Sequence, residues 1–118
     1  MKEFFRQFAY WVGESHDEVA IASDGKELTY AELNAAVDQY AAVLRAKSGG
    51  ENLTAAYYGD VGIPRHIALF AALKAGVCIY WSDPKLPMAT ARPLAVKVDT
   101  DFIIAEQGLE EAANERFG

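Results

Sequence analysis

Residues 53–83, LTAAYYGDVGIPRHIALFAALKAGVCIYWSD, decide the fold. Leu53-Thr54-Ala55-Ala56-Tyr57-Tyr58 is an apolar run of strand length, bounded by Gly59. Pro64 suits the first turn of a helix, where its missing N–H would have had no partner anyway. Residues 65–75 are apolar nearly all round (Ile67, Ala68, Leu69, Phe70, Ala71, Ala72, Leu73), which fits a helix packed on more than one side. Gly76 fits a left-handed stop. Val77-Cys78-Ile79-Tyr80-Trp81 is a second apolar strand, closed by Ser82-Asp83-Pro84. A strand, a helix and a strand joined by short loops form a parallel crossover unit, which is right-handed.

Upstream lies the clearest helix. Thr29 stands three residues before Glu32, the spacing of a capping box. Leu33, Val37, Tyr40, Ala41 and Leu44 then make one amphipathic stripe. Arg45 and Lys47 suit the negative end of the helix dipole, and Ser48-Gly49-Gly50 stops it. Before it, Val19-Ala20-Ile21-Ala22 and Glu27-Leu28-Thr29 flank an Asp24-Gly25 turn and read as a small hairpin. Residues 4–12 place Phe4 or Phe5, Phe8, and Trp11 or Val12 on one helical face.

Downstream, residues 85–98 read as irregular, with Pro87 and Pro93 breaking any long helix. Asp101-Phe102-Ile103-Ile104-Ala105 is a last strand. Residues 108–117 form a short acidic helix with Leu109, Ala112 or Ala113, and Phe117 as its face. The expected fold class is therefore α/β, a small and mostly parallel sheet with helices on both faces. Residues 1–118 are expected to form one domain.

Charge and composition exclude several functions. Eleven Lys and Arg against seventeen Asp and Glu give −6, which argues against nucleic acid or an anionic membrane as the main partner. The apolar run Ile67 to Ala72 is far too short to span a bilayer. Glu3, Arg6 and Gln7 interrupt the early apolar stretch, so no signal peptide is read and a cytoplasmic setting is expected. One cysteine leaves no internal disulfide and no Cys-rich zinc site.

Candidate chemistry is sparse. Gly59-Asp60-Val61-Gly62 precedes a helix, as a phosphate loop would, but it lacks a Gly-Lys-Ser/Thr run and Asp60 would repel phosphate. A plain turn is the preferred reading. His16 reads as an exposed loop residue, and His66 lies in a first helical turn with no ligand spacing between the two. Cys78 reads as a small buried hydrophobe, and Ser82 lacks a nucleophile elbow. Tyr57, Tyr58, Tyr80 and Trp81 gather at the carboxyl ends of strands, where parallel sheets bind ligands. Core packing or an interface is the preferred reading there too. No residue is assigned a catalytic, cofactor-binding or metal role.

Two of these segments resemble a known family. Leu28-Thr29-Tyr30-Ala31-Glu32-Leu33-Asn34 is similar to the first core motif of adenylate-forming (AMP-binding) enzymes. Leu73-Lys74-Ala75-Gly76, followed by Asp83-Pro84 and then Pro87, resembles their second. The family includes nonribosomal peptide synthetase adenylation domains, acyl-CoA synthetases and luciferases. The resemblance covers residues 4–105 and implies the N-terminal subdomain fold. Trp81-Ser82 stands where the family has Pro-Leu, and residues 48–52 replace its Gly-x-x-x-Gly-Asp approach.

By that resemblance, the expected function is an N-terminal scaffold segment of an ATP-dependent ligase that activates a carboxylic or amino acid. The family's Ser/Thr/Gly-rich phosphate loop and catalytic Lys would follow the second motif, beyond this sequence. ATP and Mg are then expected only for a complete family member. The expected partners are the remainder of such an enzyme, a synthetase or carrier protein, or a second copy. Two other readings stay open: a free-standing interaction or dimerisation module of the same descent, and a small nucleotide- or flavin-binding domain.

Overall fold

The computed structural model describes residues 2–90 and 100–117. Helix α1 (Lys2–Glu14) leads into an antiparallel hairpin of β1 (Val19–Ser23) and β2 (Lys26–Thr29). Helix α2 (Tyr30–Ser48), strand β3 (Thr54–Tyr58), helix α3 (Ile63–Ala75) and strand β4 (Cys78–Ser82) follow. Strand β5 (Phe102–Ala105) and helix α4 (Glu110–Phe117) complete the order. Pro93 and residues 91–98 of the stretch read as irregular lie outside the described residues, as does the Phe117 side chain. Residues 88–90 are helical directly after Pro87, which precedes the helix rather than interrupting it.

Each element has a local cause. Ser23 pairs with Lys26 across a two-residue loop. Asp24 and Gly25 both take positive φ (53° and 76°), as the tight turn of a right-twisted hairpin requires. The capping box is complete: Thr29 Oγ1 accepts from Glu32 N–H at 3.2 Å, and Glu32 Oε1 accepts from Thr29 N–H at 2.9 Å. Together they satisfy two orphan donors at the start of α2.

The sheet has the order β4-β3-β5, and both pairs are parallel. Strand β3 is central and buried on both faces, with Ala56 at 0% and Tyr58 at 5% exposure on the face opposite Ala55 and Tyr57. On the Ala55 face, Leu33, Val37, Ala41 and Leu44 of α2 meet Ala71 and Ala72 of α3 in one core cluster. Those four α2 residues belong to the expected stripe, and Tyr40, the fifth, packs against the same cluster while half-buried. Lys74 Nζ pairs with Asp38 across the two helices. Helix α1 turns Phe5, Phe8 and Val12 inward and leaves Phe4 and Trp11 exposed, which settles its face.

One sequence expectation is overturned. Cys78 is exposed rather than buried, because it opens β4 at the edge of the sheet. Among the described residues, only β3 in the middle of the sheet has a strand on each side.

Leu44→Ala empties a site at 2% exposure and should cost about 2–5 kcal/mol in urea unfolding. Its neighbour Val43 is 62% exposed, and Val43→Ala should stay within about 0.5 kcal/mol of the parent. Equal effects would contradict this helix orientation.

Candidate functional site

The carboxyl ends of β3 and β5 lie side by side, because the register pairs Tyr58 with Ala105. Strand β3 leaves through Gly59-Asp60-Val61-Gly62 into α3, and β5 leaves through Glu106-Gln107 toward α4. A cleft of about 490 Å³ opens at this end. Tyr57 and Ile104 line it from the sheet, Tyr40 from α2, Pro64 and Ile67 from α3, and Glu106 and Gln107 from the loop.

The floor of the cleft is held by a short network. Glu106 Oε2 accepts from Asp60 N–H at 2.9 Å, and Glu106 N–H donates to Tyr58 O at 2.9 Å. Trp81 Nε1 donates to Gly59 O at 2.7 Å. The Arg65 guanidinium stacks on the Trp81 ring, 4.2 Å from its centroid, while its buried Nε has no hydrogen-bond partner among the described residues. A Cβ on Gly59 would lie 2.7 Å from Glu106 Oε2 and 2.8 Å from Tyr57 Cε1, so the loop needs glycine there. Burial, with the Glu106 carboxylate adding to it, pushes the Tyr57 phenol up to about 12. Burial also raises Tyr40.

This loop does not fit a phosphate. The Asp60 N–H, which an anion would need, is spent on Glu106. The space above Gly59 is filled by Glu106 and Tyr57, and Asp24, Asp60 and Glu106 line the adjoining pocket. Among the described residues, no group of three His, Cys, Asp or Glu gathers as a metal site.

The four aromatics of the sequence reading do not form one wall. Alternation puts Tyr57 and its register partner Trp81 on the α2–α3 face, while Tyr58 and Tyr80 point to the other. His66 stays in the first turn of α3, its Nδ1 2.8 Å from Gly62 O. His16 is exposed beside Asp17, 3.2 Å away. Ser82 is buried at the end of β4. Sequence reading missed Glu106, which organises the loop. Its position directly after a strand was visible, but its adjacency to Gly59 and Asp60 depends on β5 pairing with β3.

The sequence pattern of the AMP-binding enzyme family matches residues 8–117. The chain belongs to the AMP-binding enzyme family. A mycosubtilin synthase component of Bacillus subtilis is 27% identical over 110 residues, covering 93% of this chain and 4% of that protein. Tyrocidine synthase 3 of Brevibacillus parabrevis is 34% identical over 87 residues, covering 74% of this chain and 1% of that protein. The N-terminal subdomain of Klebsiella oxytoca NpsA superposes with a TM-score of 0.75 at 20% identity, over 86% of this chain and 26% of that chain. This AMP-binding family chain therefore spans a small part of the length of each relative. Among the described residues, no helix is long and apolar enough to cross a membrane.

The raised Tyr57 pKa has a stability consequence. The folded phenol holds its proton up to about 12, against 10.0 for the ordinary group. Its contribution to stability is complete below about pH 10 and is lost as pH rises through about 12. Ultraviolet titration of phenolate absorbance should show Tyr57 ionising last among the tyrosines. Glu106→Gln should lower that pKa while leaving it above the ordinary value, because burial remains. No change in Glu106→Gln would contradict the contact.

Proposed function

We propose that this chain is the N-terminal scaffold of an adenylate-forming ligase. Such an enzyme joins a carboxylic or amino acid to the AMP portion of ATP, releases pyrophosphate, and passes the acyl group to a thiol. The carrying observation is that the loop leaving β3, beside the open cleft, offers no free phosphate cradle. Glu106 takes the Asp60 N–H, and Tyr57 and Glu106 fill the space above Gly59. Phosphoryl chemistry needs Lys, Arg, metal or free N–H donors aimed at the developing charge. Arg65 is stacked on Trp81, and Lys85 lies 3.9 Å from the Asp60 carboxylate.

In this reading residues 1–118 act as one α/β unit that supports the acid and nucleotide site without supplying its reactive groups. ATP and Mg²⁺ would be held by the rest of a complete enzyme. Relatives described as nonribosomal peptide synthetases support an amino acid as substrate, and one described as containing adenylation and PCP domains supports a carrier protein as acceptor. The scaffold reading goes with a cytoplasmic setting, where ATP is supplied.

A second reading, a free-standing interaction module of the same descent, is favoured by one observation. Helix α1 exposes Phe4, Tyr10 and Trp11. A concentration-independent monomer by light scattering would remove self-association from that reading.

ATP–pyrophosphate exchange with panels of amino and fatty acids tests the scaffold role. The chain alone should give only background exchange. Robust exchange with any acid would overturn it.

A further inference from the structure

The cleft at the carboxyl ends of β3 and β5 holds polar groups that the fold leaves unused, and three observations converge on it. The first is a buried phenol. Tyr57 is 3% exposed and lines the cleft, yet its hydroxyl has no hydrogen-bond partner among the described residues. A buried tyrosine usually finds a partner for that group, because leaving it unpaired forfeits the hydrogen bonds it made to water. The hydroxyl is not sealed in. Among the described residues, the side-chain polar atom that is both sealed and unpartnered is Arg65 Nε. What little of Tyr57 is open is therefore open to the cleft.

The second is a carboxylate without a cation. Glu106 lines the same cleft, half-buried. Its Oε2 accepts from Asp60 N–H, and its other oxygen has no partner among the described residues. The nearby cations are engaged elsewhere: Arg65 stacks on Trp81, and Lys85 lies 3.9 Å from Asp60. The third is what surrounds these two groups. A Cβ on Gly59 would stand 2.7 Å from Glu106 Oε2 and 2.8 Å from Tyr57 Cε1, so the carboxylate and the ring are close neighbours. Tyr40 adds a second ring whose hydroxyl is also unpartnered among the described residues, and Pro64, Ile67 and Ile104 add apolar wall.

We propose that this cleft is a binding site for a small organic ammonium, a primary amine carried on an apolar body. An ammonium has three N–H donors and no acceptor, and the unused groups are one carboxylate oxygen and two phenol oxygens, each able to accept. Its charge meets Glu106 in a charge-assisted hydrogen bond, and the two tyrosine rings add cation–π attraction. Glu106 is the one charged residue lining the cleft. Burial and that carboxylate hold the Tyr57 phenol protonated, so the site carries negative charge and would repel an anion. A wholly apolar guest would leave the carboxylate and both phenols unpaired. The volume of about 490 Å³ is ordinary for a small-ligand site, as is an apolar lining with a few polar groups. The inference goes beyond the scaffold reading and does not depend on it, since the site uses this chain's own residues.

Titration of the chain with phenethylamine, followed by residue-specific amide chemical shifts, tests the site. Phenylpropionate, with a matching apolar body and the opposite charge, is the control. The amine should give saturable shifts at Ala105, Glu106 and Gln107, and phenylpropionate should give none at the same concentrations. Glu106→Gln keeps an oxygen for the Asp60 N–H and should weaken amine binding about tenfold or more. Tyr57→Phe keeps the buried ring and should weaken it about three- to tenfold, with little change in urea unfolding. No saturable shift with the amine in the parent chain would overturn the proposal. So would phenylpropionate binding as tightly as the amine, or Glu106→Gln binding the amine as tightly as the parent. If Glu106→Gln does not fold, Tyr57→Phe decides in its place, and unchanged binding there overturns the site. ATP–pyrophosphate exchange by the chain bears on the scaffold reading alone.

Discussion

The structure depends on a close contact between two helices and one strand. Helices α2 and α3 make the most extensive helix–helix contact of the fold, and both lie on the Ala55 face of β3. What allows it is residue size. Ala41 of α2, Ala55 of β3, and Ala71 and Ala72 of α3 are all fully buried. Alanine at these points lets backbones approach, while Leu33, Val37 and Leu44 fill the remaining space. The sheet follows from that contact. With α3 pinned against α2, β3 and β4 can only run parallel, and β3 becomes the central strand on which β5 pairs.

The functional end inherits its shape from the same contact. Tyr40 and Ile67 extend the helix–helix seam toward the carboxyl ends of the strands, where they become walls of the cleft. Glu106 then ties the β5 exit to the β3 exit through the Asp60 N–H. A fold that often presents free backbone donors at this place here uses them to join its own loops. That joining of the two exit loops is what supports the proposed scaffold role.

Much of this was legible in order along the chain. The Thr29–Glu32 box, the Asp24-Gly25 turn and the α2 stripe are local signals, set by neighbours within a few residues, and the structure shows each. The two motifs that carried the family resemblance are also local, a helix start and a helix end. Cys78 was misread because an apolar strand looks alike at an edge and in a centre. Burial depends on the strand order β4-β3-β5, which no local pattern states. Glu106 was missed for the same reason: its partner Asp60 lies 46 residues away. The aromatic cluster was half right, since period-two alternation separates Tyr57 and Trp81 from Tyr58 and Tyr80.

The alanine contact is the claim on which the rest stands, and Ala71→Leu tests it most directly. Ala71 has 0% exposure and meets α2 in the core. Adding a branched side chain there should force the helices apart and lower the urea-unfolding free energy by about 1–3 kcal/mol. A variant as stable as the parent, or more stable, would contradict the account, because it would show that α2 and α3 do not need close approach to form the sheet.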